Sequence, residues 1–176
     1  VLYATLVEVG RMDPEGLRQF NQDGSSVEMI GAEHSPGMEV MTGSLGQGLS
    51  QAAGLAMARE RRGESGRGWV FMSDGELQSG QNWAAMQAIA FHQLDNLRII
   101  VDVNQQQCDG AVAQVMKTEP LDQRLAAFGA RVQRLDGHNI EQLADPAELA
   151  EREPDGRALV ILADTDPCAG IELLQA

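Results

Sequence analysis

Basic residues are scarce in this chain. Lys and Arg number 13 against 26 Asp and Glu, a formal charge of −13. So acidic a balance disfavours nonspecific contact with nucleic acid or with anionic membranes, both of which select basic patches. Cysteine is scarcer still, with only Cys108 and Cys168. Two such residues exclude a disulfide-scaffolded secreted domain and make a reducing cytoplasm the expected compartment. They also lack the CxxC spacing of a metal site. No apolar run approaches the ~20 residues of a membrane helix, and no signal-like start is visible. Aromatics make up 4%, and there is no repeat or low-complexity block. An initiator Met is missing as well, so a processed, trimmed or partial beginning is expected ahead of Val1.

What remains is an ordinary globular balance: 176 residues, 43% hydrophobic and 22% charged. That length suits a single domain over residues 1–176. Four short runs read as strands buried on both faces: Trp69–Ser73, Arg98–Val103, Arg131–Leu135 and Ala158–Ala163. Helical spacing joins Leu45, Leu49, Ala52, Ala53, Ala56 and Met57, and again Trp83, Met86, Ile89, Ala90 and Leu94. Further helices are expected near Leu2–Val9, Pro14–Phe20, Leu121–Phe128 and Ile140–Glu151. The acidic stretch Glu148–Gly156 reads as a solvated helix end and loop. Strands alternating with helices imply an α/β fold, a mainly parallel sheet flanked by helices.

In such a sheet, ligands gather beyond the carboxyl ends of the strands. Asp74-Gly75-Glu76 follows the first run and Asn104 the second, one βαβ crossover apart. If these strands are neighbours, Asp74 and Asn104 emerge at one edge. A carboxylate, an amide oxygen and a backbone carbonyl are hard oxygen ligands suited to Mg²⁺ or Ca²⁺, and Mg²⁺ keeps positions for water and phosphate. Asp-Gly also marks ordinary turns, and it occurs at Asp23, Asp109, Asp136 and Asp155 too. A second element is Met41–Gly48, MTGSLGQG, at the start of the Leu45 helix. Ser44 and Gln47 have capping-box spacing, while the glycines would let backbone N–H groups approach an anion. It is neither a Walker loop nor GxGxxG.

In order along the chain, these segments resemble the thiamine-diphosphate-binding domain of the transketolase family. The likeness is greatest to the short N-terminal subunit of two-component transketolases. It rests on PGMEVMTGSLGQGLSQAAGLAMA (Pro36–Ala58), SDGELQSGQNWAA (Ser73–Ala85), LDNLRIIVDVNQQQCDG (Leu94–Gly110), KTEPLDQRLAAFGA (Lys117–Ala130) and LDGHNI (Leu135–Ile140). The resemblance implies thiamine diphosphate and Mg²⁺ as cofactors. Asp74 and Asn104 would be Mg²⁺ ligands, with the backbone carbonyl of Gln106 as a third. Ser73 and Gly75 would complete the cofactor motif, and Gly43, Ser44 and Leu45 would offer their amides to the diphosphate. The family's cofactor supplies a thiazolium carbanion that cleaves a ketose phosphate and carries a two-carbon unit to an acceptor.

Departures from the family pattern are specific. Ser73 replaces the first Gly of Gly-Asp-Gly, which requires a backbone with φ below zero there. Ser79 stands where the family has a Glu coupling paired sites. Met29 falls where a substrate-contacting His is usual, with His34 five residues later. The late Lys-Gly-rich segment reads Thr165-Asp166-Pro167-Cys168-Ala169-Gly170. The family's cofactor-contacting His-Gly segments would precede Val1. His92 and His138 read as structural, and Arg59-Glu60-Arg61-Arg62 as charges complementing a helix C-terminus.

The family's activating Glu lies on a separate pyrimidine-binding domain, which this chain does not contain. The resemblance therefore implies a second subunit, with the active site at their interface, in a heterotetramer. Two other readings stay open. One transfers an acyl unit to a lipoyl or acyl-carrier thiol; the other is a non-catalytic homologue.

Overall fold

The computed structural model describes residues 1–38 and 40–171. Glu39, inside the PGMEV stretch, and residues 172–176 lie outside the described residues. The chain forms two compact units, Val1–Gly48 and Leu49 onward.

In the first unit, α1 (Leu2–Glu8) precedes a 3₁₀ segment, Pro14–Gln19, in place of the expected α-helix. Asp13 caps that segment by accepting from the Glu15 N–H, and the early Pro suits a helix start. The Tyr3 hydroxyl donates to the Glu28 carbonyl at 2.8 Å and accepts from the Glu28 N–H at 3.1 Å. Glu28 also receives the Ser35 hydroxyl and pairs with His34, each at 3.2 Å. His34 is thus bound to a carboxylate. Met29 is exposed.

The second unit contains most of α2 (Gln47–Arg61), then β1 (Gly68–Ser73), α3 (Gly80–Phe91) and β2 (Leu97–Val103). A two-residue hairpin follows, β3 (Gln106–Gln107) and β4 (Gly110–Ala111), leading into α4 (Val112–Val115) and α5 (Leu121–Ala127). The chain closes with β5 (Arg131–Asp136), α6 (Ile140–Arg152) and β6 (Leu159–Asp164). The four long strands form one parallel sheet in the order β1-β2-β6-β5. The expected mainly parallel sheet with flanking helices is therefore present. Among the described residues, no helix is long and apolar enough to cross a membrane.

The sheet's two faces are unequally covered. On one, Ile99, Val101, Val103, Val160 and Leu162 pack with Leu49, Ala53 and Ala56 of α2, Met86 and Ile89 of α3, and Leu121 and Leu125 of α5. On the other, Leu159 and Ile161 meet Ala150, Leu143 and Ala147 of α6. That helix lies against β5 and β6. Trp69 and Phe71 of the edge strand β1 are consequently 59% and 50% exposed, which corrects the expectation of four strands buried on both faces. Leu45 is a second correction: it precedes α2 and is exposed, so the apolar stripe begins at Leu49.

At the amino edge of the sheet, Arg98 is 1% exposed. Its guanidinium donates to the carbonyls of Asp95 and Leu97 and to Glu151 at 3.3 Å, while its Nε has no partner. Burial pushes this guanidinium below its ordinary pKa, the nearby Arg67 adds to the fall, and Glu151 opposes it. Arg67 also holds Glu151, with contacts of 2.8 and 3.0 Å. The acidic end of α6 is thus a latch as well as a solvated surface.

These contacts set two stability outcomes. Leu162 is fully buried, so Leu162→Ala should cost ~2–5 kcal/mol in urea unfolding. Glu151→Ala, which takes the carboxylate partner from the buried guanidinium and leaves it two carbonyls, should destabilise by ~1–3 kcal/mol. Arg98→Met should cost less than Glu151→Ala, because it removes the buried charge itself. The reverse order would show that the pair contributes through its attraction.

Candidate functional site

Parallel pairing aligns the carboxyl ends of three strands. Ser73 of β1 pairs with Asp102 of β2, and Val103 of β2 with Asp164 of β6. The Asp74 N–H extends the first ladder, donating to the Asp102 carbonyl at 3.1 Å. The Thr165 N–H extends the second, donating to the Val103 carbonyl at 3.2 Å. Asp74, Asn104 and Thr165 therefore leave the sheet at one edge.

Asp74 is buried, at 2% exposure. Its Oδ1 accepts from the Gly75 N–H at 2.9 Å and its Oδ2 from the Gln105 N–H at 3.0 Å. Burial pushes its carboxyl above the usual carboxylate range and the Asp102 charge adds to the rise, against the lowering effect of those two N–H groups. A carboxylate so placed favours a cation beside it. Gln105 reaches Asp74 from a left-handed backbone, φ +61, where a non-glycine residue is strained.

Asn104 stands beside this contact. Its Oδ1 accepts from the Gln106 N–H at 2.9 Å, an Asx turn, and its Nδ2 donates to Asp102 Oδ2 at 2.8 Å. Thr165 donates its hydroxyl to Asp102 Oδ1. Gly75 comes so close to the hairpin that an added Cβ would lie 2.8 Å from the Gln107 Cβ and 3.3 Å from the Gln106 carbonyl oxygen. Ser73 meets the requirement set by its replacement of Gly, since it is not among the residues with positive φ. Its hydroxyl accepts from the Glu76 N–H at 3.4 Å.

The turn after Asp74 is held from below. Asn82, fully buried, donates Nδ2 to the Glu76 carbonyl at 2.7 Å, and Trp83 donates Nε1 to the Leu77 carbonyl at 3.0 Å. Trp83 therefore does more than fill the core. Ser79 ends the 3₁₀ segment Gly75–Gln78 and precedes α3.

The structure thus brings Ser73, Asp74, Gly75, Asn104 and Gln106 together. Gly43, Ser44 and Leu45 belong to the other unit, in the turn before α2. There Gly43 has φ +122, and the Ser44 carbonyl accepts from the Gln47 N–H at 3.2 Å. Asp102, Gln105 and Gln107 join the site unexpected from the sequence, as does Thr165, there noted only as part of an altered segment. Asp102 has a signal, because residues two apart on a strand share a face. Gln105 has none, since Gln does not advertise a left-handed turn.

The donor set is one carboxylate, one amide oxygen and one backbone carbonyl. Among the described residues there is no group of three or more His, Cys, Asp or Glu that could hold a metal ion. The donor set fits a hard divalent cation that fills its remaining positions with water and phosphate oxygens.

His138 and His92 fit structural roles. His138 Nε2 accepts from the Asp166 N–H at 2.9 Å, and His92 caps α3. Cys108 is an exposed free thiol.

Comparison with known proteins agrees with this architecture. The family described as "Transketolase, thiamine diphosphate binding domain" matches residues 1–166. An uncharacterised transketolase family protein of Sinorhizobium fredii is 39% identical over 99% of this chain and 63% of its own length. An apulose-4-phosphate transketolase subunit of Actinobacillus succinogenes is 36% identical over 98% of this chain and 62% of its own. A 6-deoxy-6-sulfo-D-fructose transketolase subunit of a Clostridium species is 34% identical over 93% and 60%. The chain thus spans about three fifths of these relatives. The solved transketolase of Campylobacter jejuni superimposes with a TM-score of 0.77 at 29% identity, covering 86% of this chain and 24% of that one. The chain belongs to the transketolase family, and nearly its whole length corresponds to that family's thiamine diphosphate binding domain.

Proposed function

We propose that this chain is the diphosphate-binding subunit of a transketolase-like transferase that moves a two-carbon ketol unit from a ketose phosphate. The observation that carries this reading is the Asp74 carboxylate, buried at the sheet edge beside the Asn104 amide oxygen. In this reading, Asp74, Asn104 Oδ1 and the Gln106 carbonyl would hold Mg²⁺, which would supply positive charge for the diphosphate. Gly75 lets the strand-end turn approach the hairpin closely, and the Ser73 hydroxyl accepts from the Glu76 N–H in that turn. Separately, the Gly43-Ser44-Leu45 turn ahead of α2 offers backbone N–H groups suited to phosphate oxygens. Bound thiamine diphosphate supplies the carbanion chemistry; the protein supplies position, charge and exclusion of water.

The names of the relatives support a two-component enzyme, because two of them are called transketolase subunits. The proposed partner is a second subunit with the pyrimidine-binding domain and its activating Glu, joined in a heterotetramer. No observation favours a lipoyl or acyl-carrier acceptor. A chain with only two cysteines suits the cytoplasm as the proposed setting.

Titration calorimetry of the full chain tests the core of this reading. Thiamine diphosphate should bind in Mg²⁺ and weaken strongly with EDTA. Asp74→Ala should lower affinity about tenfold or more with its fold intact by circular dichroism, the scale of losing a charge-assisted ligand. Binding that ignores both changes would sink the Mg²⁺ site. Gly75→Ala, forced against Gln107, should weaken binding and cost ~1–3 kcal/mol of stability. The chain alone, given cofactor and Mg²⁺, should not turn over a ketose phosphate; turnover would refute the two-component reading.

A further inference from the structure

One carboxylate at the strand edge is not among the proposed Mg²⁺ ligands. Asp102 accepts the Thr165 hydroxyl on Oδ1 and the Asn104 Nδ2 on Oδ2, so both its oxygens are engaged by the polypeptide. We propose that Asp102, pinned by Thr165, is the positioning residue that turns the Asn104 side chain so that its carbonyl oxygen is available as a cation ligand. This inference rests on the proposed Mg²⁺ site and deepens it.

A side-chain amide is nearly symmetric in shape but opposite in charge at its two ends. Turned over, it would aim N–H donors at a cation. An ionised carboxylate only accepts, so the end of Asn104 that faces Asp102 must be the NH₂ group. That bond is charge-assisted and outweighs a neutral one. The oxygen is then directed to the Gln106 N–H, and its second lone pair stays open to a metal.

Thr165 is itself fixed. Its N–H belongs to the β2–β6 ladder, and a Cβ at Gly137 would come within 2.5 Å of its Cγ2. The orienting chain thus runs from the end of β5 through β6 to β2. Residues beyond the direct ligands commonly set metal affinity in this way, with losses of about 10–100-fold on mutation.

Asp102 could instead act only as a nearby negative charge, and the variants separate the two roles. Asp102→Asn removes the charge but keeps an oxygen that can accept from Asn104. Asp102→Ala removes both. With the full chain, Mg²⁺ and thiamine diphosphate, Asp102→Ala should weaken binding about tenfold or more. Asp102→Asn should stay closer to the wild type, and Thr165→Val should fall between while Thr165→Ser is neutral. Equal losses for Asp102→Asn and Asp102→Ala would overturn the orienting role in favour of charge alone.

A second readout needs no ligand. In nitrogen–proton correlation spectra, the Asn104 side-chain NH₂ pair, assigned by its loss in Asn104→Asp, should be shifted and slow to exchange. It should lose both properties in Asp102→Ala and keep them in Asp102→Asn. An unchanged pair in Asp102→Ala overturns the inference whatever the cofactor does. If Asp102→Ala fails to fold, Thr165→Val and Asp102→Asn carry both comparisons. Binding that survives Asp74→Ala and EDTA would refute the Mg²⁺ site instead, with the spectra still deciding how Asn104 is oriented.

Discussion

A carboxylate buried at the end of a parallel strand is costly, and the local structure is organised around meeting that cost. Taking Asp74 out of water favours its neutral form, and the neighbouring Asp102 increases the penalty. Two backbone N–H groups, from Gly75 and Gln105, answer it. Delivering the second requires Gln105 to adopt a left-handed backbone on the residue straight after Asn104. Strain at one residue, an Asx turn at its neighbour and a close approach at Gly75 are therefore consequences of a single buried charge.

The parallel sheet is what brings these consequences together. The register Ser73–Asp102 and Val103–Asp164 sets the three strand ends level, so residues just past the sheet meet without long side chains. At the opposite edge another buried charge, Arg98, is handled with two carbonyls and Glu151. There the partners are all protein groups, with only Nε left without one. At the carboxyl edge the Asn104 oxygen keeps an unused lone pair. The two ends of the sheet thus separate a latch from a site.

Much of this architecture is legible in the amino-acid order. Apolar runs mark β2 and β6, because a central parallel strand is hydrophobic on both faces, whereas the edge strand β5, RVQRLD, is polar and partly exposed. The same rule fails for β1, since an edge strand far from α6 leaves Trp69 and Phe71 in the open. Leu45 fits a helical stripe by number but precedes a helix that starts only at Gln47. Asp74 and Asn104 stand out because strand-end acids and amides are chemically conspicuous. Asp102 sits inside a run read for its hydrophobicity, and although its spacing from Asn104 is a signal, its pairing with Thr165 is not visible locally. Interactions between residues 63 positions apart leave no local trace in a sequence.

The chain's acidity bears on the same chemistry. With a net charge of −13, and Asp102 beside Asp74, the local field repels any phosphate. Backbone N–H groups supply only partial charges, and most of those near Asp74 are already committed to side-chain oxygens. In the proposed site, a divalent cation would offset the two carboxylates, relieving their mutual repulsion and supplying positive charge for a diphosphate. On the proposed reading, the features that look adverse to a phosphate ligand, a buried acid and a second acid behind it, would make its binding conditional on the metal, so that anion and cation would bind together or hardly at all.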